Sequence, residues 1–450
     1  MNILLLRPPR RDLWDMGLSV PPMGLAYIAS SLLEAGHHVE ILDAYALGWS
    51  WGRLSQWIQD KHFDVLGCTV MTPTLDIVAR AIEICRPFVD SVVVGGPHPT
   101  AVKEEIFVDI PSVDAAVVGE GEEVIVRWLE YRSGIGNFPA GVLERGKVFT
   151  PATPPDIHAL PMPARHLLPN QKYRYLFSSH AKIGTMITSR GCPFRCSFCD
   201  KSVGGSRWRA RNAQEVVDEL SYMKHELGIG FVNFYDDNFT LHRARVVAIC
   251  NEILHRGLRI SWKCEGRVDG VDLELLQLMK KAGCITVAYG VESGNPQSLA
   301  LLRKDVSIEK SKRAFAYTRE AGLRSLAYMI LGVPGESVDD VQKSIRFCRE
   351  LGADYVQFST LTAMPGTDIT AQFSSRMSVK NPLDRDAHRE TLTDLSQEDL
   401  QRLMKEAWLG FYLRPRPIAR LTIDGVRSGS WKEGVRLAMG MGKWAVSAIR

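Results

Sequence analysis

Cys192, Cys196 and Cys199 fall together in the stretch SRGCPFRCSFCDKS, with the spacing C-x3-C-x2-C. A disulfide needs two thiols and a closed zinc site needs four ligands, so three is an awkward number. Thiolates are the usual protein ligands of iron–sulfur clusters. A four-iron cubane has one coordination position per iron, so three thiolates leave one iron open to a substrate or cofactor. Zinc is the alternative, and it requires a fourth ligand, for which His180 and Asp200 are near in sequence. Pro193, Arg195 and Asp200 make the stretch polar, which argues against three merely buried thiols.

The other six cysteines (Cys68, Cys85, Cys250, Cys264, Cys284, Cys348) are scattered among apolar neighbours, as small core residues are. This usage fits a reducing cytoplasm and not a disulfide framework. The 450 residues suffice for two or three domains, with 45% hydrophobic content for ordinary cores. The N-terminal MNILLLRPPR runs into a strand-like pattern, so no signal peptide is expected. No apolar run reaches the ~18 residues of a membrane span. The net charge of +4 is uneven. Residues 411–450 hold eight Lys/Arg against Asp424 and Glu433, and this basic tail, with Trp431 and Trp444, would suit peripheral contact with a membrane surface.

The elements that must position the cysteines come in two series. Over residues 1–150, apolar runs at 3–6, 39–42, 64–70, 91–96 and 114–118 alternate with helical stretches near 23–36, 51–61 and 74–88. Continuous apolar strands alternating with helices predict a doubly wound (Rossmann-like) α/β domain. Its ligand belongs beyond the strand carboxyl ends, at RPP (7–9), VMTP (70–73), GGPHPT (95–100) and GEGE (119–122). A dinucleotide fingerprint G-x-G-x-x-G is absent. Residues 151–180 open with a run of prolines and read as an extended linker. The βα rhythm then restarts over 181–370, with strands near 182–189, 230–239, 259–267, 284–293, 324–336 and 354–366. Polar or Gly-rich strand ends (SRGC, YDDN, EGR, GVESG, GVPGE, AMPGT) predict a partial (β/α)6 TIM-like barrel with its site at that face. Residues 371–450 read as a small helical region.

With Phe198 as the aromatic before Cys199, and five βα units following, the chain resembles the radical S-adenosylmethionine superfamily. The resemblance implies a 4Fe-4S cluster on Cys192, Cys196 and Cys199, whose open iron chelates S-adenosylmethionine and whose reduction yields a 5′-deoxyadenosyl radical. It implies cofactor contacts from Phe198, from Asp236 and Asp237 near the amino group, and from Arg267 toward the carboxylate in a fork geometry. Glu292 and Ser293 resemble the ribose- and methionine-facing pair. Val333, in GVPGE (332–336), stands on the adenine side.

The N-terminal domain, together with FYLRPRPI (411–418), resembles the cobalamin-binding, class B methyltransferase-like subfamily. The implied corrinoid contacts are Pro8, Thr72, Pro73, Gly95, Gly96, His98, Gly119, Glu120, Gly121 and Glu122. The D-x-H-x-x-G element is missing, and His98 sits in a different loop, so it is not assigned as a cobalt ligand. The expected activity is methyl transfer to an unactivated carbon or similar centre. Oxidative cyclisation or rearrangement with the same cofactors is the alternative, and a corrinoid-binding sensor without turnover is a third reading. The resemblance also implies an electron donor such as flavodoxin or ferredoxin. A small apolar or tetrapyrrole-like substrate is expected. Tyr328, Met329, Phe358 and Met364 are either its pocket or core. No basic stripe interleaved with aromatics occurs in the barrel, so nucleic acid is not expected.

Overall fold

The computed structural model describes residues 1–9, 19–175, 178, 180, 182–374 and 391–428. Two six-stranded sheets carry the chain. The first comprises β1 (Asn2–Arg7), β2 (His38–Asp43), β3 (Phe63–Thr69), β4 (Val89–Gly95), β5 (Ala115–Val117) and β6 (Val142–Glu144). Its order is β2-β1-β3-β4-β5-β6, parallel throughout except for β6, which pairs antiparallel with β5 and adds an edge the apolar pattern does not announce. Strands such as ILLL are buried on both faces because helices cover each side. The order reverses between β1 and β3, the point where ligands bind in such sheets.

After β7 (Ile183–Met186), a short antiparallel pair, β8 (Ser189–Arg190) with β9 (Arg209–Ala210), brackets the cysteine loop. The second sheet then continues with β10 (Phe231–Phe234), β11 (Ser261–Gly266), β12 (Cys284–Glu292), β13 (Arg324–Leu331) and β14 (Tyr355–Thr360). Its order is β14-β13-β12-β11-β10-β7, all parallel, a half-barrel. Alternation assigns its faces. Val232, Phe234, Trp262, Cys264, Val287, Met329 and Phe358 pack outward against the helices, so Met329 and Phe358 are core and not pocket. Tyr328 belongs to the other face, and its hydroxyl donates to Glu265 at 3.1 Å. The β14 edge is covered by helix Gln397–Tyr412, whose Tyr412 hydroxyl donates to Val356 O at 2.6 Å and accepts from Val356 N at 3.1 Å.

Residues 151–175 do not form a free linker. Apart from a 3-10 turn at Arg165–Leu167 they lack regular structure, yet Ala164, Leu168 and Tyr173 are buried between the sheets. Ala164 N donates to Ala26 O at 2.9 Å, and Tyr175 stacks on Phe231 of the half-barrel, with ring centroids 5.9 Å apart. The prolines stiffen the path, and Tyr175, beyond the last of them, packs on the half-barrel. Arg165 and Glu219 are both fully buried and paired, and Arg211 also holds Glu219. Burial opposes the Glu219 charge, but the two guanidinium groups overcome it and hold its pKa below the usual value. The half-barrel floor is closed by helix Pro415–Ser428, where Asp424 pairs with Arg324 at 2.6 Å. The basic tail beyond it, including Trp431 and Trp444, lies outside the described residues. Among the described residues no helix is long and apolar enough to cross a membrane.

Arg165→Ala leaves Glu219 buried with one partner fewer, a change that costs about 3 kcal/mol in comparable pairs. The expected outcome is a thermal unfolding midpoint several degrees lower; an unchanged midpoint would show that this residue does not fasten the segment.

Candidate functional site

The cysteine loop is held from three sides. Gly191 has φ +81°, and a Cβ there would stand 2.4 Å from Arg207 O, so only glycine lets the loop turn against residues 204–207. Cys192 N donates to Gly205 O at 3.2 Å. Ser197, between the second and third cysteines, donates through N and Oγ to Leu302 O and Leu301 O, both at 2.9 Å, and its carbonyl accepts from Ile369 N at 2.9 Å. Upstream, Asp236 accepts from Thr188 N (2.6 Å), Thr188 Oγ1 (2.5 Å) and Ser189 Oγ (2.6 Å), fixing the strand that delivers Arg190 and Cys192. Asp236 is therefore a positioning residue whose acceptors are already occupied, not a free contact for an ammonium group. Asp237 is different. It lines the cavity described below, and burial together with Asp236 raises its pKa.

Partial burial raises the Cys192 thiol, and Cys199, though exposed at the surface of the loop, is raised by the protein packed around it, with Asp237 and the neighbouring thiols adding to the effect. Three clustered thiols beside a carboxylate favour their ionised form only when a cationic centre is shared among them.

Arg190 joins the two domains. Its Nη1 donates to Glu120 Oε2 and its Nη2 to Glu122 Oε1, each at 2.6 Å, and Arg209 also pairs with Glu120. Burial opposes the charge on Arg190, yet the two carboxylates more than offset this and its pKa is raised. Glu120 thus has both oxygens engaged by the clamp, while the residue also lines the cavity described next. Between the domains lies a cavity of about 360 Å3. Its apolar wall includes Leu25, Leu32, Val65, Val93 and Leu129. Gly95, Gly96, Gly119 and Gly121 line it from one domain, and Arg190, Gly191, Tyr235 and Asp237 from the other. Pro8, Thr72, Pro73 and His98 are not part of its lining. His98 is fully buried, with Nδ1 3.0 Å from Thr72 Oγ1 and Nε2 2.8 Å from Asp109, so it ties β3 to the segment after β4 and faces no ligand.

At the far strand ends, Arg267 has already closed its fork: Nε and Nη2 donate to the two oxygens of Asp269 at 2.9 and 3.1 Å. It also lies over the Phe194 ring at 3.7 Å, inside the cysteine loop. The fork expected to meet a carboxylate ligand is thus occupied by Asp269 in this structure. Glu292, at φ +66°, pairs with Lys304 at 2.6 Å. Glu336 accepts from Gly332 N, Val333 N and Ser298 Oγ and organises the GVPGE turn; burial raises its pKa. Ser293 reaches Glu336 at 3.4 Å and Ser344 at 3.0 Å. Phe198 packs against the apolar cluster that contains Val333 and Ile369.

Residues 186–348 match the family model described as the Radical SAM superfamily, and residues 15–128 match the B12 binding domain. An uncharacterized methyltransferase, PH0819, of Pyrococcus horikoshii is 32% identical over 439 residues, spanning 93% of this chain and 94% of its own. The chain belongs to the cobalamin-binding branch of the radical S-adenosylmethionine superfamily. The anaerobic magnesium-protoporphyrin IX monomethyl ester cyclase of Rubrivivax gelatinosus is 28% identical, over 80% of this chain and 67% of the cyclase. The fold matches that of the radical S-adenosylmethionine methyltransferase TsrM of Kitasatospora setae, with TM-score 0.69, 20% identity, and coverage of 84% of this chain and 75% of that one.

The cofactors of this radical S-adenosylmethionine enzyme are a 4Fe-4S cluster, S-adenosylmethionine and cobalamin, and its residues fit them. Among the described residues, the one set of three potential metal ligands whose atoms all lie within 4.8 Å is His62, Asp64 and Asp90, which is distant from the cysteines in sequence. At least one pair of the three cysteine sulfurs is therefore more than 4.8 Å apart, wider than a preformed tetrahedral zinc site. For cobalamin, the interdomain cavity offers an apolar slot at the switch point. Gly67 keeps the slot open, because a Cβ there would stand 2.6 Å from Leu5 Cδ2. Reasoning from sequence missed Arg190, Arg209, Tyr235 and Lys304. Only Arg190 carried a signal, its place directly before the cysteine loop.

Cys196→Ala and Gly191→Ala should each abolish the iron–sulfur absorbance and iron content of anaerobically purified protein, the first by losing a ligand and the second by driving a Cβ into Arg207 O. Full iron content in either variant would refute that assignment.

Proposed function

We propose that the chain is a cobalamin-dependent radical S-adenosylmethionine methyltransferase that acts on an unactivated carbon of a small, largely apolar molecule. One observation carries this reading: a single cavity is walled on one side by the corrinoid-side glycines Gly95 to Gly121 and on the other by Gly191, Tyr235 and Asp237 beside the cysteine loop. Bound there, the cluster and S-adenosylmethionine would supply a 5′-deoxyadenosyl radical, and cobalamin a methyl donor. The residues of the chain supply the geometry. Asp237 offers an acceptor toward an ammonium group from the β10 end. Glu336, through the backbone of residues 332 and 333, shapes the turn expected to meet adenine. The Arg190 clamp keeps the two walls in register, and the packed segment around Tyr173 and Tyr175 keeps water from the open side. Arg195 and Arg207, exposed on the cysteine loop, suit an acidic electron donor such as flavodoxin. A second reading, oxidative cyclisation of a tetrapyrrole-like substrate, is favoured by the identity to the Rubrivivax cyclase.

With methyl-labelled S-adenosylmethionine, reductant and substrate extract, the label should enter product, and 5′-deoxyadenosine and S-adenosylhomocysteine should both accumulate. Deoxyadenosine with no S-adenosylhomocysteine and no mass gain in product would sink methyl transfer in favour of cyclisation.

A further inference from the structure

One carboxylate oxygen at the interdomain cavity has no partner. Glu122, the first residue of helix Glu122–Arg132, is 5% exposed and lines the cavity beside Gly121 and Arg190. Its Oε1 accepts from Arg190, but its Oε2 is buried and has no hydrogen-bond partner among the described residues. Glu120, two residues earlier, has both oxygens engaged by Arg190 and Arg209. The clamp therefore accounts for Glu120 fully and for only half of Glu122. A buried acceptor left without a donor is costly, and such groups are rarely kept without cause.

The missing donor is constrained by charge. Arg190 and Arg209 are already balanced by Glu120 and Glu122, so a further anion at Oε2 would face a carboxylate with no cation to spare. A neutral N–H supplies the hydrogen bond without that penalty. The periphery of a corrin ring carries carboxamides, which are donors of this kind. The deep wall of the slot (Leu25, Leu32, Val93, Leu129) offers no such chemistry, whereas Glu122 follows directly on the glycine turn at the carboxyl end of β5. Resting on the cobalamin reading above, we infer that Glu122 is a specificity-determining residue for the corrinoid. Through Oε2 it accepts a hydrogen bond from one peripheral carboxamide and rejects corrinoids in which that amide is a carboxylate.

The test is equilibrium binding to the full-length, cluster-loaded protein of cobalamin and of each separated monocarboxylic acid of cobalamin, followed by the corrinoid spectrum. The wild type should bind at least one acid ~10-fold or more weakly than cobalamin, because like charges are juxtaposed. Glu122→Gln exchanges the acceptor for an amide that can donate, and should bring that ratio within about threefold. Glu120→Gln loosens the same clamp but leaves Oε2 of Glu122 in place, so it should weaken all corrinoids by a common factor and keep the wild-type ratio. Circular dichroism and iron content establish that each variant is folded. Equal ratios in the wild type and Glu122→Gln, or a matching loss of discrimination in Glu120→Gln, would overturn the inference. A wild type that binds no cobalamin would overturn the cofactor reading beneath it.

Discussion

A guanidinium buried between two domains has to be neutralised where it stands, and Arg190 is neutralised only by carboxylates from the other domain. The clamp is therefore a constraint on distance as much as a source of stability. Arg190 is followed immediately by Gly191 and Cys192, and preceded by Ser189, which Asp236 holds. Any shift of the first sheet relative to the second would move the base of the cysteine loop. The separation between the glycine-lined wall and the cysteine loop is thus set by Arg190 and its two carboxylate partners, with Arg209 as a second hold on Glu120.

The half-barrel imposes the second condition. Six strands leave a side open, and an open interior would admit water to reactive chemistry. The chain closes it with its own connecting segment, pinned by Arg165 to Glu219 and by Tyr175 to Phe231. Helix Pro415–Ser428 closes the floor through Asp424. The cavity that remains opens where the two walls meet.

The strands of both sheets were legible because runs such as ILLL and SVVVGG are buried on both faces, which leaves a continuous apolar signature. β6 was not, since VLE in an antiparallel edge carries too little pattern. The Pro-rich segment was legible as a connector without regular structure, but its packing was not, because burial there rests on single residues such as Ala164, Arg165 and Tyr173. At the site, the cysteines declared themselves by spacing. Asp236 and Glu120 stand beside it with partners far away in sequence, Arg267 with Asp269 only two residues on, and in each case pairing decides whether a charge meets a ligand or a neighbour. His98 shows the same lesson, for its two nitrogens are consumed by Thr72 and Asp109.

The hydrogen bond from Ile369 N to Ser197 O has a temporal side. Ile369 lies about 170 residues downstream of Cys199, beyond the last strand of the half-barrel. The first domain, and with it the acidic half of the clamp, leaves the ribosome early and can fold as a unit. The cysteine loop cannot reach its final shape until the far end of the barrel has been made. The three thiols therefore pass through synthesis with their loop still open, and the loop closes only once the barrel behind it is complete.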